Sequence, residues 1–239
     1  MSPGRAFSDA TRTRGRFSSA RTPTETGLIP FITQREGEEA AEDTLMLLEP
    51  SPGRLRLYYQ DEAAQDRDWR GVLWARCSFN PVDGKKRPTG RPMWKMVHPF
   101  RQRMTMQAMR CQVCAGRART PLGFIFLAGP RDLDPEAPLV LTNQPPVCAE
   151  HARAAARLCP HLEQNPMVFL ARSAPLYGVI GTLYGYGADG VQVLARPEQP
   201  LPYGHANLST ILASQLVRRL SSFSVVELDE LLHALQASA

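Results

Sequence analysis

Apolar and polar positions along the chain predict short strands interleaved with a few helices. Leu45 to Leu48 and Leu55 to Tyr59 flank Pro50-Ser51-Pro52-Gly53, which predicts strand, turn, strand. Arg54-Leu55-Arg56-Leu57-Tyr58 alternates with period two, so one face of the second strand should be wet. Gly71 to Phe79 reads as a third strand and places Cys77 in a sheet. Residues 80–92 hold three prolines and two glycines and read as a loop. Pro99 suits the first position of a helix running to about Arg110, because its missing N–H costs nothing there. Leu122 to Leu127 is a short apolar strand, and Val140-Leu141 is expected to pair back. A helix follows from Cys148 and is stopped by Pro160. Met167 to Ala171, Gly178 to Tyr184 and Gly190 to Arg196 read as strands, the last two joined by a tight Asp189-Gly190 turn. Two helices are expected to close the chain. One runs from Leu208 to Leu220 with Asn207 as its cap, and one is opened by the capping box Ser224-Val225-Val226-Glu227.

These elements define an α+β fold, with antiparallel strands around a central metal-binding module and two C-terminal helices. Four regions are expected. Residues 1–26, rich in Arg, Ser, Thr and Gly, form a disordered basic tail. Residues 27–92 form an N-terminal β region, 93–165 the module, and 166–239 the closing strands and helices. The acidic run at 35–43 is expected to be solvated.

Length and composition narrow the class. A chain of 239 residues can bury a core without covalent staples. Mean hydropathy is −0.28 and no apolar run nears the roughly 18 residues of a membrane span, so no membrane partner is expected. The polar, Arg-rich N-terminus lacks the apolar stretch of a secretory signal, which points to the cytoplasm. Five cysteines is an odd number, and four lie between positions 111 and 159, which favours metal ligation over a disulfide framework.

The chemistry centres on those cysteines. Cys111-Gln112-Val113-Cys114 is answered by Cys148-Ala149-Glu150-His151. Each pair offers two ligands on one tight turn, and the gap lets two distant segments meet at one tetrahedral zinc ion. Ala115-Gly116 suits the turn after the second cysteine, where backbone N–H groups face the sulfurs. Cys148 and His151 share one helical face. Cys159 and His161 compete for the fourth position. Cys159 lies eleven residues past Cys148, about 16 Å along a straight helix, so it cannot share the ion unless the helix breaks early. Cys111, Cys114, Cys148 and His151 are therefore the preferred ligands, and four protein ligands make a closed, structural site.

With a knuckle, an expected hairpin and a ligand pair opening a helix, residues 105–160 resemble the treble-clef zinc fingers. One branch of that group, the HNH nucleases, carries a catalytic histidine on the hairpin. Residues 116–147 contain no histidine, so the resemblance implies a structural zinc and not that nuclease. The wider wording, Pro145-Pro146-Val147-Cys148 and Cys159-Pro160-His161 included, resembles zinc-binding proteins of high-GC actinobacteria and implies no activity.

Charge adds a possible partner. The formal net charge is +5, and residues 84–130 contain no acidic side chain. That stretch carries Lys85, Lys86, Arg87, Arg101, Arg103 and Arg110 among others, with Trp94 and Phe100 between them. Such cations neutralise phosphates and such rings stack on bases, so DNA or RNA is the expected partner. The leading reading is a zinc-binding accessory or regulatory protein that contacts nucleic acid. The alternatives are a metal-dependent nuclease or nucleotide-handling enzyme, and a protein-interaction module that docks a partner on its terminal helices. No phosphate-binding glycine loop, nucleophile elbow or H-E-x-x-H motif occurs, and Gly178 and Gly181 read as strand glycines.

Overall fold

The computed structural model describes residues 28–41, 44–84, 86–129, 139–158, 162, 166–188 and 190–237. The N-terminal third carries β1 (Thr33–Arg35), β2 (Ala40–Ala41), β3 (Leu45–Ser51), β4 (Arg54–Tyr59), β5 (Leu73–Trp74), β6 (Arg76–Cys77) and β7 (Pro92–Val97). Then come α1 (Pro99–Gln107), β8 (Phe124–Ala128), β9 (Val140–Thr142) and α2 (Ala149–Leu158). The last third carries β10 (Met167–Ser173), β11 (Leu176–Gly187), β12 (Gly190–Ala195), β13 (Leu201–Pro202), β14 (Ile211–Val225) and α3 (Leu228–Ala237). The fold is mixed, mostly antiparallel, with three helices among the described residues.

Strand β14 organises the molecule. Along one edge it pairs β10 at its C-terminal half and β11 at its N-terminal half, antiparallel throughout. β10 and β11 are thus nearly one strand, interrupted at Ala174-Pro175, and the Arg219 N–H reaches the Pro175 carbonyl across the gap at 3.0 Å. On its other edge β14 pairs β5 in parallel at Leu212 and Ala213, then β9 at Arg218 to Leu220. Gln102 of α1 fills the space between. Its Oε1 accepts from the Leu216 N–H at 2.9 Å, and its Nε2 donates to the Leu216 and Asn143 carbonyls at 2.9 and 2.7 Å. A side-chain amide thus completes the ladder where no strand reaches, which satisfies backbone groups that burial would otherwise orphan.

This corrects the expected helix at Leu208 to Leu220. Ser214 is an extra residue opposite Ile180 and Gly181, a bulge that breaks the period-two pattern. Ile211, Ala213 and Leu216 consequently share one apolar cluster although their spacing is not that of a regular strand. With β14 hydrogen-bonded on both edges and seven of its first ten residues buried, tertiary pairing overrides the helical look of Leu208, Leu212, Leu216 and Leu220. One helix, not two, follows the last strand. It begins at Leu228, because Ser224 is still paired with Leu170 in the sheet.

Two further expectations change. Val140-Leu141 pairs with β14, while β8 pairs with β10, so these two strands form no hairpin with each other. The N-terminal β region makes three two-stranded ladders, β1–β7, β2–β6 and β3–β4, and β7 and α1 occupy the stretch after the loop. α1 starts at Pro99, with His98 as the extended residue before it, and ends three residues short of Arg110. Arg218 of β14 closes its C-terminus by donating to the Met106 and Gln107 carbonyls at 2.9 and 3.1 Å and to that of Ala174. A cation there also opposes the helix dipole. The basic tail at 1–26, Lys85, Asp189, Cys159 and His161 lie outside the described residues.

Candidate metal centre

The turn after α1 is built around sulfur. The Cys111 N–H donates to the Gly116 carbonyl at 2.9 Å, and the Ala115 N–H returns to the Cys111 carbonyl at 2.8 Å. The Val113 and Gly116 N–H groups each point at a sulfur, Cys111 Sγ and Cys114 Sγ, at 3.4 Å. Ala115 takes a left-handed conformation (φ 57°) to make this possible. A Cβ at position 116 would stand 3.2 Å from Cys114 Sγ, so glycine leaves room for the N–H to turn inward.

Cys148 immediately precedes α2, and its carbonyl accepts from the His151 and Ala152 N–H groups at 3.1 and 3.0 Å. That first turn brings Cys148 Sγ to 3.1 Å from His151 Nδ1. The two halves are held together by backbone. The Gln112 N–H donates to Pro146 at 2.9 Å, and the Val147 N–H to Ile125 of β8 at 2.9 Å. The N-terminal segment joins through the Phe31 and Ile32 N–H groups, which reach the Val113 and Gln112 carbonyls. As a result the ligand atoms of Cys111, Cys114, Cys148 and His151 all lie within 4.8 Å of one another. Below them is an apolar cluster that includes Val113, Ile125, Val147, Ala152 and Leu231. Cys111 is buried, Cys148 and His151 half-buried, and Cys114 at the surface.

The four described cysteines are free thiols. Burial, and then the neighbouring Cys111, push the Cys148 thiol up to about 12. Burial also pushes Cys114 up. Cys114 and Cys148 thus resist ionisation as they stand, whereas a cation among the sulfurs would make thiolates the stable form. Three sulfurs and one imidazole form a donor set that can hold a soft or borderline metal ion.

The basic residues divide into two groups. Arg101 is 2% exposed and Glu38 3%. They form a bidentate pair, Nη1 to Oε1 at 2.8 Å and Nη2 to Oε2 at 2.6 Å, while Arg101 Nη2 also donates to the Thr33 carbonyl. Arg101 is therefore an internal brace, and the expectation that it meets phosphate is corrected by its burial and its partner. Glu38 and Arg35 belong to the acidic run expected in solvent, and both are buried. Arg103 is half-buried, with its guanidinium 5.0 Å from the Trp74 ring centre and bonded to the Gln65 carbonyl at 3.2 Å. Burial lowers its pKa.

Lys86, Arg87 and Arg110 are exposed. Arg87 pairs with Asp83 at 2.9 Å, and Arg110 reaches over the metal-site turn to the Ala115 carbonyl at 3.1 Å. Cys77 is half-buried in β6, and burial, then the Glu38 charge, raises its pKa, as for an inert thiol.

No protein family matches the chain, and no curated protein or solved structure shows significant similarity to it.

Proposed function

We propose that Cys111, Cys114, Cys148 and His151 hold one zinc ion in a closed structural centre, and that the protein is a cytoplasmic zinc-binding accessory or regulatory protein that contacts nucleic acid through exposed cations near that centre. The observation that carries the zinc reading is the convergence of four ligand atoms within 4.8 Å. Tetrahedral zinc with sulfur at about 2.3 Å separates its sulfurs by roughly 3.8 Å, which such a cluster meets with small side-chain adjustments. Four protein ligands leave no place for a reactive water, so the ion's role is to tie two segments together, the turn after α1 and the start of α2, with residues 31–32 hydrogen-bonded to that turn. A sulfur-bearing turn followed by a ligand pair opening a helix is also how treble-clef fingers place their ligands. Here the strands between are shared out to the large sheet.

The nucleic-acid reading draws on Lys86, Arg87 and Arg110, which stand in solvent, and on Lys85 by its position in the same basic run. Its test is fluorescence anisotropy with labelled oligonucleotides between about 50 and 200 mM salt, where counterion release makes affinity fall steeply. Charge reversal at Lys86, Arg87 and Arg110 should weaken binding further. Salt-independent binding, or none, would remove this reading and leave the zinc centre standing.

A further inference from the structure

Trp69 is 70% exposed, the most exposed of the large apolar side chains among the described residues. Its surroundings are hydrogen-bonded and cationic. The Arg70 guanidinium carbon lies 4.2 Å from the Trp69 ring centre and 4.3 Å from that of Tyr203. Asp68, 9% exposed, fixes both ends of the arrangement. Its Oδ2 accepts from the Tyr203 hydroxyl at 2.9 Å, and its Oδ1 accepts from the Arg70 and Val72 N–H groups at 2.9 and 3.0 Å. Beside this turn Arg56 Nη2 comes within 3.9 Å of where a side chain on Gly71 would begin. Arg67 sits over the same Tyr58 ring as Arg56.

The charges in this patch are unequally matched. Arg67 is consumed by Glu62, with Nε to Oε1 at 2.7 Å and Nη2 to Oε2 at 2.8 Å. Asp68 is occupied by Tyr203 and by backbone. Arg56 and Arg70 have no carboxylate partner among the described residues. An indole largely open to solvent, with the Arg70 guanidinium over its ring and Arg56 beside the same turn, combines a stacking surface with phosphate neutralisation. The Asp68 hydrogen bonds hold this turn in place, which lowers the entropy lost when a ligand settles.

We infer that Tyr203, Arg70 and Trp69 form a preassembled stack whose open Trp69 face takes an unpaired base of single-stranded nucleic acid, with Arg56 placed for the adjoining phosphate. The inference rests on the nucleic-acid reading above and gives it a second surface, in a turn outside the basic run at 84–130. Trp, Tyr and Arg also anchor protein interfaces. Arg56 and Arg70, which have no carboxylate within ion-pair distance among the described residues, favour an anionic occupant.

The test compares wild type with Trp69→Ala, Trp69→Phe and a Lys86→Glu/Arg87→Glu variant. The probes are a labelled oligothymidylate of about eight nucleotides and a duplex of equal length, read by anisotropy and by tryptophan quenching. Trp69→Ala should weaken single-strand binding about tenfold or more. Trp69→Phe should keep most of the affinity while losing the Trp69 share of the quenching, and the duplex should bind less tightly than the single strand. If Trp69→Ala binds like wild type while the charge reversal weakens binding, the stacking inference fails and the nucleic-acid reading survives. If neither oligonucleotide binds wild type, both fail and the patch is left to a protein partner. Equal affinity for duplex and single strand also overturns the inference.

Discussion

Glu38→Gln should be among the most damaging single substitutions in this protein. It keeps the shape of the side chain and removes its charge. In the folded state that carboxylate accepts two bonds from Arg101 and one from the Arg35 N–H at 2.7 Å. The side chains of Glu38 and Arg101 are 0% and 3% exposed, so neither can turn to water. Arg35, 2% exposed, adds a second guanidinium nearby. Without Glu38, two cations share a buried region with no counter-charge.

Removing one partner of a buried pair costs about 3–5 kcal/mol, and the second arginine places this site toward the upper end. Arg101→Met should cost less, since Arg35 still faces the carboxylate. The double variant should cost less than the sum of the two. Urea unfolding followed by circular dichroism measures all three. Raising salt from about 50 to about 500 mM should leave the wild-type difference unchanged, since a buried pair is poorly screened. A loss under about 1 kcal/mol for Glu38→Gln, the range of exposed pairs, would refute the reasoning. So would an Arg101→Met protein of normal stability that binds oligonucleotides weakly, because Arg101 would then be a surface contact.

Other consequences can be checked on the same protein. Gln102→Leu orphans the Leu216 N–H and the Leu216 and Asn143 carbonyls, and should cost about 3–5 kcal/mol in urea midpoint analysis; a loss below about 1 kcal/mol would mean that the ladder does not need the amide. Gly181→Ala would put a Cβ 2.2 Å from the Leu212 carbonyl oxygen and should destabilise by about 1–3 kcal/mol or more, whereas an unchanged thermal midpoint would contradict the close strand approach. Burial, then the Arg101 charge, holds His98 below its usual 6.5, so the unfolded chain binds a proton that the folded chain does not. Stability should therefore fall as pH drops below about 6.5. A second fall should begin below about 4.5, because burial raises the Glu38 carboxyl but Arg101 and the Arg35 N–H outweigh it and hold it below that value. His98→Gln should flatten the first fall, and an unchanged slope would exclude His98 as its source.

What the sequence revealed follows from how local each determinant is. The four candidate ligands form two pairs, each within four residues, so spacing alone singles them out. The β3–β4 hairpin and the start of α1 are likewise fixed by Pro52-Gly53 and by Pro99. Arg101 was misread because its partner is 63 residues away and lies in a run that looks solvated. β14 is hidden in the sequence because the Ser214 bulge masks its alternation and its neighbours come from four other strands and a glutamine. Strands as short as β1 and β2 leave little pattern to read, since their pairing is set by β7 and β6. The Trp69 stack escaped for the same reason: Tyr203 is 134 residues from Trp69 and is brought to it by β13 pairing with β11.

The most direct test of the zinc centre is metal analysis of the purified protein combined with X-ray absorption at the zinc edge. One zinc per chain is expected, with three sulfurs at about 2.3 Å and one nitrogen at about 2.0–2.1 Å. A Cys111→Ser/Cys114→Ser protein should lose the ion and unfold at lower urea. A metal-free wild type that is fully folded would contradict the account, and so would a bound zinc with an oxygen ligand in its first shell.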